Sequence, residues 1–377
     1  MSSKTVSFST VPLSHNEGML GVITLNRTEV LNALDQEMID ELLGICEEID
    51  RNESIKGLWF ESSIEKAFCV GGDVRHVTER GSQGGVSDIT RAAHYLASEY
   101  ALDVRLHQLK VPIFSWGDGY IMGGGMGIFQ GADVRMVTEH SKLAMPEVKI
   151  GFVPDCGGSW FLNRVTHGLG ICLAMSGSTV DASDAIWLNL ADWLIPRIEK
   201  EEVFQTIIGL DYSSKTSATD MLSRILNQAT FESEQQGLWE INGPSLATSI
   251  RHLSPKAVWA QMVKWKEMKP EVLHGLDDAS PGAALIAGYQ FYRARYQSIT
   301  SSIIQEHDLG MKFLQDGEWC EGVRALLIDK DKNPNWRFAT VENVEKQWVE
   351  TMLAPMEWVN SHPLKELFEK HKIKLIR

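Results

Sequence analysis

No stretch of this 377-residue chain approaches the roughly 20 consecutive apolar residues that a membrane-crossing helix needs, so a membrane partner is not expected. The first residues, MSSKTVSFSTVPLS, carry one Lys and no sustained apolar run, which is not the charged-then-apolar layout of a secretion signal. Cysteine is scarce: Cys46, Cys69, Cys156, Cys172 and Cys320 are scattered and never form CxxC. Neither a disulfide framework nor a zinc site is suggested, and a reducing cytoplasm is the expected compartment. The eleven His residues make no HExxH or paired-ligand spacing, so no metal is expected. Basic charge is also short, with 36 Lys and Arg against 50 Asp and Glu and a net charge of -14. Such a field repels a phosphate backbone, which disfavours nucleic acid as the main partner. Any anionic ligand must be met by local donors.

What the sequence has is an α/β first half. MLGVITL (19 to 25) and IKGLWFES (55 to 62) read as strands, and between them Met38, Leu42, Ile45, Cys46 and Ile49 fall at helical spacing. A second amphipathic helix is predicted around residues 88 to 109, followed by the strand-like VPIFSW and VRMVTE. From about residue 215 the strand-like runs stop, and SATDMLSRILNQA, PKAVWAQMVKWKEM and AALIAGYQFYRARYQSITSSIIQEH read as helix. The predicted division is a core over 1–210 and a helical region over 211–377, with linker candidates at LDYSSKT near 210 and LDDASPGA near 276.

Three stretches carry chemistry. GYIMGGGMG (119 to 127) places five glycines in nine positions. Glycines there can bare main-chain N–H groups to a ligand and open a helix whose first amides lack internal partners, or they can let a helix pack tightly on a sheet. Neither GK[ST] nor GxGxxG fits, so nucleotide phosphate is not the obvious ligand. KAFCVGGDV (66 to 74) also runs from an apolar strand end into a Gly pair and an Asp suited to capping a helix. Two such turns facing each other would form an oxyanion hole, which suggests acyl chemistry. In LAMPEVKIGFVPDCGGSWFLNRV (143 to 165), Glu147 and Asp155 each follow a Pro in apolar company, surroundings that disfavour the ionised form and tune a carboxyl for acid or base work.

In that order and spacing, NRTEVLNALDQEM, KAFCVGGDV and the Gly-rich stretch running on to FVPDCGGSWFL strongly resemble the enoyl-CoA hydratase/isomerase, or crotonase, superfamily over residues 20 to 165. The resemblance implies a spiral of ββα turns with an extended C-terminal helical region. It also implies an acyl-CoA thioester as substrate, and no separate cofactor. The oxyanion would be held by the N–H groups of Gly72 and Gly124, with Gly123, Gly125 and Gly127 making room and Asp73 close by. Asn32, Ala33 and Leu34, with Lys66, Ala67 and Phe68, would line the pantetheine and adenine. Hydratases of this type carry a Glu where this chain has Gly127; only Glu147 matches their second acid. FVPDCGG and CEGVRALLIDKDKNPNW (320 to 336) look instead like the 3-hydroxyisobutyryl-CoA hydrolase branch, which implies Glu147 and Asp155 as the acids and a place in valine breakdown; a hydratase or double-bond isomerase, and a non-catalytic CoA-binding protein on this fold, stay open as alternatives. The resemblance allows a homo-oligomer as well.

Other groups have plainer readings. Cys69 and Cys156 flank the proposed site, but neither has a neighbouring His, and buried Cys usually serves packing. The Trp residues of the helical half suit packing. Arg27, Lys66 and Lys142 are candidates for the CoA phosphates, with a solvated surface charge the alternative for each.

Overall fold

A computed structural model of the protein describes residues 5–15, 17–75, 77, 86–228, 236–358 and 361–375. Their contacts divide the chain into two units that interleave in sequence. The first comprises 1–71, 102–143 and 180–237; the second comprises 72–101, 144–179 and 238–377. The expected division fell instead at a single point, after residue 210.

The first unit holds a six-stranded sheet. Its strands, with residue ranges, are β1 (Val6–Pro12), β2 (Met19–Leu25), β3 (Ile55–Ser62), β5 (Ile113–Gly117), β7 (Val134–Val137) and β10 (Trp193–Leu194), in the order β1-β2-β3-β5-β7-β10. Strand β1 pairs antiparallel with β2, and every later pairing is parallel. The reason is visible in the side chains. Strand β5 is buried along its whole length, as a parallel strand covered on both faces requires, whereas the edge strand β1 is largely exposed. The helix Gln36–Arg51 makes the β2 to β3 crossover, capped by Asp35, whose side chain accepts the Met38 N–H. It buries the five predicted positions plus Ile39 and Leu43. Helices Lys200–Ile208 and Lys215–Leu226 add Val203, Ile207, Ile208, Ala218 and Leu222 to a core built on Leu20, Phe114 and the stacked pair Trp59 and Trp116. Each fully buried side chain of this size stabilises the fold by about 1.5–3 kcal/mol.

Strands β4 (Ala67–Cys69), β6 (Tyr120–Met122), β8 (Lys142–Ala144) and β9 (Val180–Asp181) form a smaller second sheet.

Among its described residues the second unit is built mainly from helices. After residue 215 every described element of the chain is helical, as the lengthening patterns predict. Two details differ. The run over 283–307 is two helices, Pro281–Ala294 and Ile299–Asp316, because Ser298 leaves helical geometry to cap the second by accepting the Ser301 N–H. The two linker candidates are helix caps. Ser214 accepts the Ser217 N–H, and Ser280, wholly buried, accepts the Ala283 N–H while donating its own N–H to the Val148 carbonyl. A short polar side chain is what an N-cap needs, so caps and linkers share a composition.

Candidate active site

The Gly-rich stretch of the first unit does both things its composition allowed. Gly123 (φ 54°, ψ -126°) ends the strand and caps the helix Gly124–Gln130; a side chain would resist that conformation. The N–H of Gly124, in the first turn, has no intrahelical acceptor by helix geometry. Gly125 serves packing, since a Cβ there would collide with the Cys69 carbonyl. The stretch 66–71 lies alongside. Tyr120 donates its N–H to the Lys66 carbonyl, and a Cβ on Gly71 would lie 3.2 Å from the Gly124 nitrogen. Gly127 is buried in the same helix.

The loop over 30–34 is tied to this turn. Asn32, fully buried, donates to Ser62 Oγ at 2.8 Å and the Phe68 carbonyl at 3.0 Å, while its own carbonyl accepts the Cys69 thiol at 3.0 Å. Leu34 donates its N–H to the Gly71 carbonyl at 2.8 Å. Ala33, Leu34, Ala67 and Phe68 are buried and Lys66 is exposed. Arg27 is committed to Asp35 and to the Ala33 carbonyl, which ties its charge to the loop.

The carboxylates belong to the second unit. Glu147 follows Pro146 and opens the 3-10 helix Glu147–Ile150. The start of the 320 to 336 stretch lies directly against this helix: a Cβ on Gly322 would collide with the Ile150 main chain, and the preceding Trp319 stacks on Phe152 with centroids 4.4 Å apart. Glu147 is 6 % exposed, and its Oε2 is buried with no hydrogen-bond partner. Asp155 is equally buried; Tyr100 Oη donates to its Oδ2 at 2.6 Å. Asp73 is buried and pairs with Arg75.

Sequence reasoning missed three contributors. Glu99 and Tyr100 sit on the helix Val86–His107, and Glu306 on Ile299–Asp316. Glu99 is 3 % exposed with an unpartnered Oε1, and a Cβ on Gly72 would lie 3.3 Å from both of its carboxylate oxygens and 2.7 Å from Tyr95 Oη. The only signal in the sequence is that Glu99 and Asp103 interrupt an otherwise apolar face, YLASEYALDV.

Electrostatics make these acids a cluster. Burial, then the Asp155 charge, then Glu99 and Glu306, push Glu147 well above the ordinary carboxyl range, while a main-chain hydrogen bond opposes them. Glu99 is raised by burial and by Asp155, and Asp155 by burial, with the Tyr100 hydrogen bond pulling the latter back down. Glu306 is pushed up to about 7 by burial. Close buried carboxyls that cannot all ionise hold a proton near neutral pH, which is the property of an acid–base site.

Two other features are built from other residues. A cavity of about 920 Å³ is lined by Lys256, Tyr289, Arg293, Asp308 and Val349 among others, and by none of the buried acids. His307, Asp308 and His362 converge with ligand atoms within 4.8 Å, a grouping that sequence spacing did not reveal. His362 Nδ1 accepts the Leu364 N–H, and its other nitrogen lies 3.4 Å from an Asp308 oxygen.

The family model described as enoyl-CoA hydratase/isomerase matches residues 20–353. The chain belongs to this family. Among curated relatives, the mitochondrial 3-hydroxyisobutyryl-CoA hydrolase of Gallus gallus is 29% identical over 349 residues, 91% of this chain and 89% of the relative. The enzyme of that name from Xenopus tropicalis is 30% identical, over 89% of this chain and 86% of the relative. A carnitinyl-CoA dehydratase from Mycobacterium thermoresistibile superimposes with a TM-score of 0.80 at 26% identity, over 94% of this chain and 98% of that one. An enoyl-CoA hydratase from Rhodobacter sphaeroides gives 0.77 at 25%, over 93% and 97%. The crotonase-like α/β fold is therefore shared. Among the described residues no helix is long and apolar enough to cross a membrane. The curated relatives are named as mitochondrial, which leaves the cytoplasmic expectation without support from them.

Proposed function

We propose that the protein hydrolyses the thioester of a small 3-hydroxyacyl-CoA, with 3-hydroxyisobutyryl-CoA, the intermediate of valine breakdown, as the candidate substrate. The observation that carries this reading is the buried carboxyl pair Glu147 and Asp155 in a chain whose hydratase acid position holds Gly127. Relatives named for that hydrolysis, similar over about nine-tenths of the chain, support it.

In the proposed reaction the N–H groups of Gly72 and Gly124 receive the charge that develops on the thioester oxygen; one such donor is worth about 2.7–4 kcal/mol. Glu147, once ionised, attacks the carbonyl carbon to give a mixed anhydride that water then opens, or takes a proton from the attacking water. On either route the carbon–sulfur bond breaks, the CoA thiolate leaves and is protonated, and one water is consumed. The unpartnered Glu147 Oε2 suits both. Asp155, oriented by Tyr100, accepts a hydrogen bond from the 3-hydroxyl of the acyl group.

Glu99 favours a second reading. A further buried acid facing Gly72 supplies the pair that water addition to an enoyl-CoA needs, so Gly127 alone does not dispose of a hydratase. Thiol release from 3-hydroxyisobutyryl-CoA, followed beside loss of enoyl absorbance from crotonyl-CoA, separates the two, and activity in neither assay would mark a non-catalytic CoA binder. Glu147→Gln keeps shape and removes charge; it should slow thiol release by about 10²–10⁴-fold. Release at the parent rate would exclude Glu147 from the chemistry.

A further inference from the structure

We infer that Glu306, on the helix Ile299–Asp316, is a positioning residue that aims the Asp155 loop; the inference rests on the hydrolase reading above. Its carboxylate is fully buried. One oxygen accepts the Gly157 N–H at 2.8 Å; the other accepts the Ser159 N–H at 3.0 Å and the Ser159 hydroxyl at 2.6 Å. All three donors lie within four residues of Asp155, and Glu306 is 149 positions from Gly157 in sequence.

The local backbone explains why an outside acceptor is needed. Cys156 (φ 53°) and Gly157 (φ 81°) both take the left-handed conformation directly after Asp155. A non-glycine residue holds it only when its surroundings insist. Gly157 then caps the helix Gly158–Phe161 without a side chain to do so. An N-cap normally supplies a side-chain oxygen to the second or third amide of its helix, and here Glu306 supplies that oxygen from another helix. On the preceding side Gln290 donates to the Pro154 carbonyl at 3.1 Å. The turn bearing Asp155 is thus gripped from the helical region at both ends, while Tyr100 holds the carboxyl itself.

Glu306 is an expensive group for mere support. Its charge raises the Glu147 carboxyl and is itself disfavoured by that of Asp155, and a neutral acceptor would cap the turn without that repulsion. A carboxylate presents two oxygens to donors on both sides. Glutamine would set its NH₂ against one of the main-chain N–H groups.

The test compares thiol release from 3-hydroxyisobutyryl-CoA and isobutyryl-CoA in the full-length parent, Glu306→Gln, Ser159→Ala, Asp155→Asn and the Glu306→Gln/Asp155→Asn double variant. Misplacing Asp155 should cost Glu306→Gln about 10–10²-fold in kcat on the hydroxylated ester, with KM changed much less and a smaller loss on the plain ester. Ser159→Ala, which leaves Glu306 its two main-chain donors, should show the same selectivity change in weaker form and keeps the test alive if Glu306→Gln does not fold. In the Asp155→Asn background Glu306→Gln should add almost nothing, since groups acting as a unit are non-additive. Parent-like selectivity in both Glu306→Gln and Ser159→Ala, or equal losses on the two esters that multiply fully in the double variant, overturns the role. A parent that cleaves neither ester removes the hydrolase reading and this role with it; a parent that cleaves both alongside a parent-like Glu306→Gln removes the role alone.

Discussion

Replacing Tyr100 by Phe deletes one oxygen and isolates what keeps Asp155 ionised. The ring is fully buried, edge-on to His307 at 6.1 Å between centroids, so Phe preserves the packing. The lost contact is the 2.6 Å hydrogen bond to Asp155 Oδ2. A hydrogen bond to a charged acceptor is worth about 1.5–3 kcal/mol. At 1.36 kcal/mol per unit, its removal raises the Asp155 pKa by about 1–2 units beyond the rise that burial already causes. If catalysis needs the Asp155 anion, the acid limb of kcat/KM for thiol release moves to higher pH by about that much, with the alkaline plateau nearly unchanged; the limb belongs to Asp155, Glu99 and Glu147 titrating together. The stability consequence has a definite sign. The folded pKa of Asp155 lies above its unfolded value, so the group's contribution is present below the unfolded pKa and lost as pH rises through the folded one. Tyr100→Phe enlarges that loss. The variant should be less stable than the parent by about 1.5–3 kcal/mol once the pH exceeds its raised Asp155 pKa, by less at neutral pH, and converge on it in acid. An acid limb that stays where the parent's lies, with equal destabilisation at both pH values, would refute the reasoning.

In the parent, burial raises Glu147, Glu99, Asp155 and Glu306, so thiol release should rise with pH through a limb above the ordinary carboxyl value of about 4; a flat profile from weakly acidic to neutral pH would contradict the cluster. Gly125→Ala forces a methyl against the Cys69 carbonyl and should lower stability by about 1–3 kcal/mol in urea unfolding. Ser298→Ala removes the cap of the helix bearing Glu306 and should cost about 1 kcal/mol in the same measurement.

The candidate site was legible in pieces, according to how local each piece is. The glycine turns, the strand ends before them and the two Pro-preceded acids are written in adjacent residues, because backbone conformation depends on neighbours. The strands β2 and β3 and the helix between them followed from period alone. Glu99 and Glu306 were passed over because one acid on a long helix ordinarily faces water. The stretches around Ser214 and Ser280 read as linkers because cap and linker use the same residues.

The chain's own order of residues therefore determined the family, the main elements and the turns that carry Glu147 and Asp155, all of them matters of short-range sterics and periodicity. Tertiary packing decided the electrostatics. It brought Tyr100 to Asp155 across 55 positions and Glu306 to Gly157 across 149, and burial raised the pKa of four separate acids. The strength of a charge's interactions depends on distance and on the water excluded around it, and neither exists until the chain has folded.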